Sequence, residues 1–217
     1  MPRAKLSSVI RRDQIAEATL AEVSRHGLQR LSVAAVAGRV GLSPAALYRH
    51  YASKDAVLDA VLERLRERLH SNVAAVRAEF PDPVDALREL QRRHMRLLRE
   101  NSAMPLLLFN DAFHAGHPER RARVLAAFTG YLGGIAALLR SGQRRGLVRR
   151  DVSARALAVL FLGLVQPASV LSTLSEGTFD LTRQALAAWP VYEQAIRTRR
   201  ARPRAPRRGR PTSRRTP

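Results

Sequence analysis

Two helix stops and restarts crowded between Leu31 and Leu58 constrain this chain more than any other feature in it. Ser32 is placed to N-cap a short helix whose apolar face is Val33, Val36, Ala37 and Val40, because a serine oxygen can accept from the unsatisfied amides of a first turn. Gly41 ends that helix, since glycine alone takes a left-handed backbone at low cost. Ser43 and Pro44 start a second helix, with serine as cap and proline at the first helical position, and Leu47 and Tyr51 face inward one turn apart. Ser53 caps a third, whose first turn holds Asp55, where a carboxylate suits the helix dipole. Two short helices across a glycine turn make a helix-turn-helix. The second carries small residues, Ala45 and Ala46, that let a backbone approach a groove floor. The cluster Tyr48, Arg49 and His50 follows, with Lys54 just beyond. In such a motif the start of the second helix enters the major groove and the residues around it hold phosphates. A helical hairpin in some unrelated bundle is the plainer reading, but the full set of caps and polar groups favours DNA.

Residues 11–58 resemble the DNA-binding domain of the TetR family of bacterial transcriptional regulators. The resemblance rests on an amphipathic first helix ending in His26-Gly27, then Leu31-Ser32-Val33, Gly41-Leu42-Ser43, Leu47 to Tyr51, Ser53-Lys54-Asp55 and Leu58. It implies an all-α protein. A three-helix DNA-binding domain, residues 11–54 with the motif at 31–50, would be joined by a long helix to a helical ligand-binding and dimerisation domain at 55–196. It also implies a homodimeric repressor that binds a double-stranded DNA operator in the cytoplasm, at the nucleoid, and is released by a small ligand. Carried over by position, Tyr48, His50 and Lys54 match phosphate-contacting places, with Ser32 and Ser43 as caps beside them. Val33, Ala34, Ala45, Ala46 and Arg49 match places that touch DNA, although many members carry a polar or basic residue where Val33 and Ala34 stand. The family also includes a nucleoid-occlusion member whose recognition helix is similar to Ala45–Tyr51, so a DNA-scaffolding protein with ligand-independent binding is the alternative.

Charge supports a phosphate partner. The formal net charge is +20. Residues 1–54 hold nine Lys and Arg against three acids, and residues 197–217 hold ten arginines and no acid. Basic charge gathered this way suits nucleic acid. Residues 1–10 read as a flexible basic arm, and 197–217, dominated by Arg, Pro, Gly, Ser and Thr, as a disordered tail. There is no cysteine, which excludes disulfides, thiolate metal sites and cysteine nucleophiles. The longest apolar run, Ala156 to Val165, is ten residues, too short to span a bilayer, and no membrane partner is expected.

Beyond the motif the periodicity predicts helices at Asp13–His26, Asp55 to about Arg77, Pro83–Arg99, Ala103 to about Ala115, Pro118 to about Arg145, Ala154 to about Leu174 with a kink at Pro167, and one after Asp180 that contains Pro190. The helix from Asp55 would couple the two domains without a linker. A cavity in the second domain is expected to be lined by Met95, Leu98, Met104 and Leu107, with Phe109, Phe113, Phe128 and Leu132 opposite. His94, Asn110 or His114 would offer polar contacts to a mostly apolar effector. Gly130, Gly133 and Gly134 on the same helix predict a close helix approach or a space. The last two helices are more apolar than one internal face needs, which points to a dimer interface through Phe161, Leu164, Val165, Leu171, Trp189 and Tyr192. No phosphate-binding loop, HExxH or nucleophile elbow occurs, so no enzyme activity or cofactor is expected. Asp111, His114 and His117 lack a fourth ligand, and no metal is expected there.

Overall fold

The computed structural model describes residues 8–101, 104–108, 111–175 and 177–198. Among them every regular element is an α-helix, and the one β feature is an isolated bridge between Val148 and Arg197. The N-terminal unit is α1 (Ser8–His26), α2 (Val33–Arg39) and α3 (Pro44–Tyr48). The first helix begins five residues before Asp13, so Ser8–Ile10, expected in a free arm, form its opening turn. Arg11 points inward rather than toward a partner, and Nη1 donates to the Val40 carbonyl at 3.2 Å.

Each cap read from the sequence is made. Ser32 Oγ accepts from Ala35 N at 3.5 Å, Ser43 Oγ from Ala46 N at 3.1 Å and Ser53 Oγ from Ala56 N at 3.1 Å. Gly41 sits at φ 65°, and the next amide, Leu42 N, reaches back to Ala37 O at 2.9 Å. That closes the Schellman turn that ends α2 and aims α3 across it.

The long connecting helix α4 (Lys54–Glu79) packs against α1, α5 (Pro83–Glu100) and α8 (Pro118–Arg144). The apolar segment after Asn101 is helical at α6 (Met104–Leu108) and α7 (Asp111–His114), within the helix expected at Ala103 to about Ala115, and the two residues between them lie outside the described residues. The segment 154–174 divides, into α9 (Ala154–Gly163) and α10 (Gln166–Leu174). Pro167 explains the break. It has no amide for the carbonyl four residues back, which belongs to Gly163, and its ring would collide there, so the helix stops at Gly163 and restarts with proline in its first turn. Pro190 does not break α11 (Leu181–Ile196), because it and Leu186, whose carbonyl it leaves unmatched, face solvent.

The core does not follow the two-domain division. One buried cluster runs from Ile15, Val23 and Leu47 through Leu58, Val61 and Leu65 of α4 to Met95, Leu98 and Phe113. A second, at the far end of α4, gathers Val76, Leu87, Ile135, Leu139, Phe161 and Trp189. By length and composition α8 and the 154–174 segment are apolar enough to cross a membrane, but each lays an inward face in these clusters, Tyr131, Ile135 and Leu139 from α8 and Leu157 and Phe161 from α9.

Candidate DNA interface and internal cavity

The helix-turn-helix presents its polar residues outward. Leu47 is fully buried and anchors α3, while Ala45, Tyr48 and Arg49 are exposed around it, and Ala46 and His50 are half-buried. Tyr48, an aromatic residue 49% exposed, is one of the large side chains that the protomer leaves uncovered. Regular helix ends at Tyr48, short of Tyr51, and the amides of His50 and Tyr51 both bond to Leu47 O, at 2.8 and 3.1 Å. Ser32 and Ala34 are exposed and Val33 is half-buried at the start of α2. Lys54 is the first residue of α4, with five residues between it and the end of α3.

A cavity of about 670 Å³ lies behind them, between α4 and α8. These helices run side by side in the same direction: Asp59 meets Arg120 and Arg123 near their starts, His70 lies against Gly130, and Val73 against Gly134. The stretch of α4 from Asp59 to His70 is about 16 Å long at the helical rise. Leu62, Leu65 and Leu69 give α4's apolar wall, and Val124, Ala127 and Phe128 give that of α8. Met104 and Leu108 of α6 and Gln166 of α10 complete it. Exposed or half-exposed ions rim it, Asp59 and Arg123 near the starts of α4 and α8, and Glu63 with Arg66 further along α4. The opposite end holds buried polar groups. Tyr131 Oη and His94 Nδ1 are 3.1 Å apart, both residues are 2% exposed, and their rings meet edge to face at 5.3 Å. Burial holds the His94 pKa down at about 4, so the ring is neutral near pH 7, and pushes the Tyr131 phenol well above its ordinary value.

Beside the rim, Arg120 of α8 fastens α8 to the head of α4. It is 2% exposed. Its Nε donates to Asp59 Oδ1 at 2.8 Å, its Nη2 to Asp55 Oδ1 at 2.9 Å and its Nη1 to Phe113 O at 2.9 Å, with the guanidinium 4.8 Å from the Phe113 ring. The Arg120 hydrogen bond holds the Asp55 carboxyl below its ordinary pKa.

Residues 15–61 match the family described as bacterial regulatory proteins, tetR family, and residues 83–184 match the tetracyclin repressor-like C-terminal domain. The chain belongs to the TetR family. It is a DNA-binding transcriptional regulator. Curated relatives include the nucleoid occlusion factor SlmA of Idiomarina loihiensis, 25% identical over 188 residues that cover 86% of this chain and 95% of that one. SlmA of Vibrio cholerae is 28% identical over 158 residues, covering 72% and 80%. Among solved structures, the fatty acid degradation regulator FadR from Bacillus halodurans superposes with a TM-score of 0.72 at 20% identity, covering 87% of this chain and 97% of that one. FadR from Bacillus subtilis in complex with stearoyl-CoA gives 0.71 at 16% identity, covering 85% and 98%. These two share the fold.

Within this TetR-family frame the residues singled out in the sequence fall into groups. Met104 and Phe128 line the cavity, and so does His94. Met95, Leu98, Leu107 and Phe113 are instead packed in the first core cluster, and Leu132 lies against the second. His114 Nε2 is 3.0 Å from Leu108 O and does not line the cavity, while Phe109 and Asn110 lie outside the described residues. His117 contacts Asp55 at 3.5 Å and Glu119 at 3.3 Å. Of the residues expected at a dimer interface, Phe161, Val165, Trp189 and Tyr192 are buried in the protomer's own core, and Leu164 is half-buried. Tyr192 donates to the Leu157 carbonyl at 2.9 Å and Trp189 Nε1 to Glu193 at 2.6 Å. Leu171 is 48% exposed, and other exposed apolar residues are Val159 and Leu160 on α9, Val170 and Leu174 on α10, and Leu186 and Val191 on α11. The sequence reasoning missed Tyr131, His70 and Arg120. For Tyr131 and His70 a signal was available, since three glycines on α8 already asked what they were making room for.

Proposed function

We propose that this regulator is a dimeric repressor whose hold on its operator is released by an elongated, mostly apolar small molecule lodged between α4 and α8. One observation carries the reading: a single helix serves both sites. Five residues separate α4 from the recognition helix, α4 packs against α1 of the DNA-binding unit, and from Asp59 to His70 the same helix walls the cavity. A ligand that changes the α4–α8 spacing therefore moves the head of α4, because a stiff helix carries a displacement along its length. The exposed apolar side chains on α9, α10 and α11 are our candidate dimer face, since an apolar patch of that kind on a protomer marks an interaction surface. A two-fold pair would set two copies of α3 against half-sites one helical turn, or a multiple, apart. On this reading Ser32, Ser43, Tyr48, His50 and Lys54 hold the backbone, and Ala45, Ala46 and Arg49 face base edges. The protein would work in the cytoplasm, at the nucleoid.

The experiment begins with selection of bound sequences from a random DNA pool, which gives the operator. A thermal-shift screen of apolar metabolites follows, with operator titration in the presence of each hit. A ligand that prefers the non-binding spacing by about 2–3 kcal/mol lowers operator affinity by about 30–150-fold. Ligands that stabilise the protein yet leave operator affinity unchanged would refute the switch.

The match to nucleoid occlusion factors along most of their length supports a second reading, a DNA scaffold without an effector. The ten arginines of residues 197–217, of which only Arg197 is described, would then add sequence-independent affinity. Truncation after Thr198 separates the roles. The tail contributes to DNA binding if the slope of log affinity against log salt flattens, and is a bystander if it does not.

A further inference from the structure

Resting on the reading of the α4–α8 cavity as an effector site, we propose that its buried end selects a ligand whose apolar body terminates in a neutral hydrogen-bond acceptor, a hydroxyl or carbonyl oxygen, received by His94 with Tyr131 behind it. His94 is the only cavity-lining residue contributed by α5. It is 2% exposed, yet its Nε2 has no hydrogen-bond partner among the described residues. A buried polar atom without a partner costs free energy that nearly all proteins avoid, so one left beside a cavity marks the place where a ligand atom completes the bonding.

The chemistry of that atom follows from the neighbours. The phenol of Tyr131 has one proton, and the acceptor beside it is His94 Nδ1, 3.1 Å away. With Nδ1 accepting, the neutral imidazole carries its own proton on Nε2, so the open position is a donor and the ligand must supply an acceptor. Among the described residues the cavity is lined by two arginines and no lysine: Arg123, paired with Asp59 near the helix starts, and Arg66, one turn before His70 and already paired with Glu63. A second imidazole, His70, also lines this end with its buried Nε2 unpartnered among the described residues, so the end offers ring N–H donors and no unpaired arginine or lysine, and a neutral acceptor is the group that fits without bringing an uncompensated charge. Gly130, next to Tyr131, leaves room for the His70 ring at this end: a Cβ there would stand 2.7 Å from His70 Cε1, and the ring would have to shift.

Calorimetric titration of the full-length protein with decanol, decane and decanoic acid tests this, with the parent and the variants His94→Leu and Tyr131→Phe. In the parent, decanol and decane both bind, and decanol binds more tightly than decanoic acid at neutral pH. His94→Leu lowers the decanol-to-decane affinity ratio about tenfold while decane binding persists, the loss expected when a buried donor no longer meets its acceptor. Tyr131→Phe, which frees Nδ1 and the tautomer, lowers the ratio less. If the ratio stays the same in both variants, the polar floor is wrong while the cavity reading stands. If decanoic acid binds more tightly than decanol, the neutral acceptor is wrong. If none of the three binds the parent, the effector site and this inference fall together. The comparison of the three probes in the parent needs no variant to fold.

Discussion

Replacing Arg120 by Met keeps an aliphatic stem in the same space and removes only the guanidinium. The variant loses four hydrogen bonds, to the Asp59 carboxylate, the Asp55 carboxylate and carbonyl, and the Phe113 carbonyl, and the ring contact to Phe113. Stripping one partner from a fully buried ion pair costs about 3–5 kcal/mol. Here the carboxylates left behind are 51% and 24% exposed at Asp55 and Asp59, and water can take over part of the lost bonding. The expected destabilisation is therefore about 3 kcal/mol, near the lower edge of that range. In a chain of this size that lowers Tm by roughly 6–12 °C. Urea unfolding of the parent, Arg120→Met, Asp59→Asn and the double variant closes a cycle, and the coupling between the two positions should exceed about 1 kcal/mol. The pH dependence is a second reading of the same bond. Because the Asp55 pKa is lowered in the folded state, its contribution is complete above the ordinary carboxylate range and is lost as pH falls through that range toward the lowered value. The Arg120→Met curve should be flatter there. Operator binding should survive the change, but an effector should shift it less, since α8 is no longer fastened to the head of α4. Unfolding within about 0.5 kcal/mol of the parent, with additive effects in the cycle, would refute the clamp.

Alanine at three glycines of α8 should give opposite signs: Gly130→Ala and Gly134→Ala place a Cβ 2.7 Å from His70 and 2.8 Å from Val73 and should destabilise by about 1–3 kcal/mol, whereas Gly133→Ala meets nothing within 4 Å and should stabilise by up to about 1 kcal/mol, all read by thermal unfolding. Tyr48→Phe combined with Lys54→Ala should weaken binding to every sequence alike, while Arg49→Ala shifts the preferred sequence; an unchanged affinity at matched salt would misplace the surface. Leu160→Asp with Leu171→Asp should give a folded monomer by light scattering, and a surviving dimer would remove the proposed face. Because His94 titrates at about 4 when folded, below its ordinary value, it contributes stability that is lost as pH falls from about 6.5 toward 4, and His94→Leu should lose that slope in acid-unfolding curves.

The DNA-binding unit was legible because its boundaries are set locally. A serine cap, a glycine at positive φ and a proline in a first turn each act within a few residues, and every one of them appears in the structure. The dimer and cavity residues were harder to read, for a common reason. Periodicity reveals which side chains must leave water but not what covers them. Trp189, Phe161 and Tyr192 satisfy one another inside the protomer, through ring contacts at 5.7 and 5.9 Å, while the plainer Val159, Leu160 and Leu174 are left outside. The cavity shows the converse. Asp59, Glu63 and Arg66 are charged, which by itself says nothing of a cavity, yet they line one, because α8 comes close at Gly130 and Gly134 and leaves a gap nearer its start. Pro167 and Pro190 look equivalent in sequence, and only the surroundings of the carbonyl four residues earlier decide that one interrupts a helix and the other does not.

The buried cluster that runs unbroken from Ile15 through Leu65 to Phe113 bears on how such a protein can be recombined. A chimera that grafts this reading head onto another effector unit by splicing at Ser53 would cut through one folded mass, leaving Leu58, Val61 and Leu65 to face side chains shaped for a different helix. A transplant that respects the packing must carry α1 through the first three turns of α4 together with the side chains of α5 to α7 that close over them. The heritable module here is larger than the motif that touches DNA, and its border lies part-way along a helix rather than at a loop.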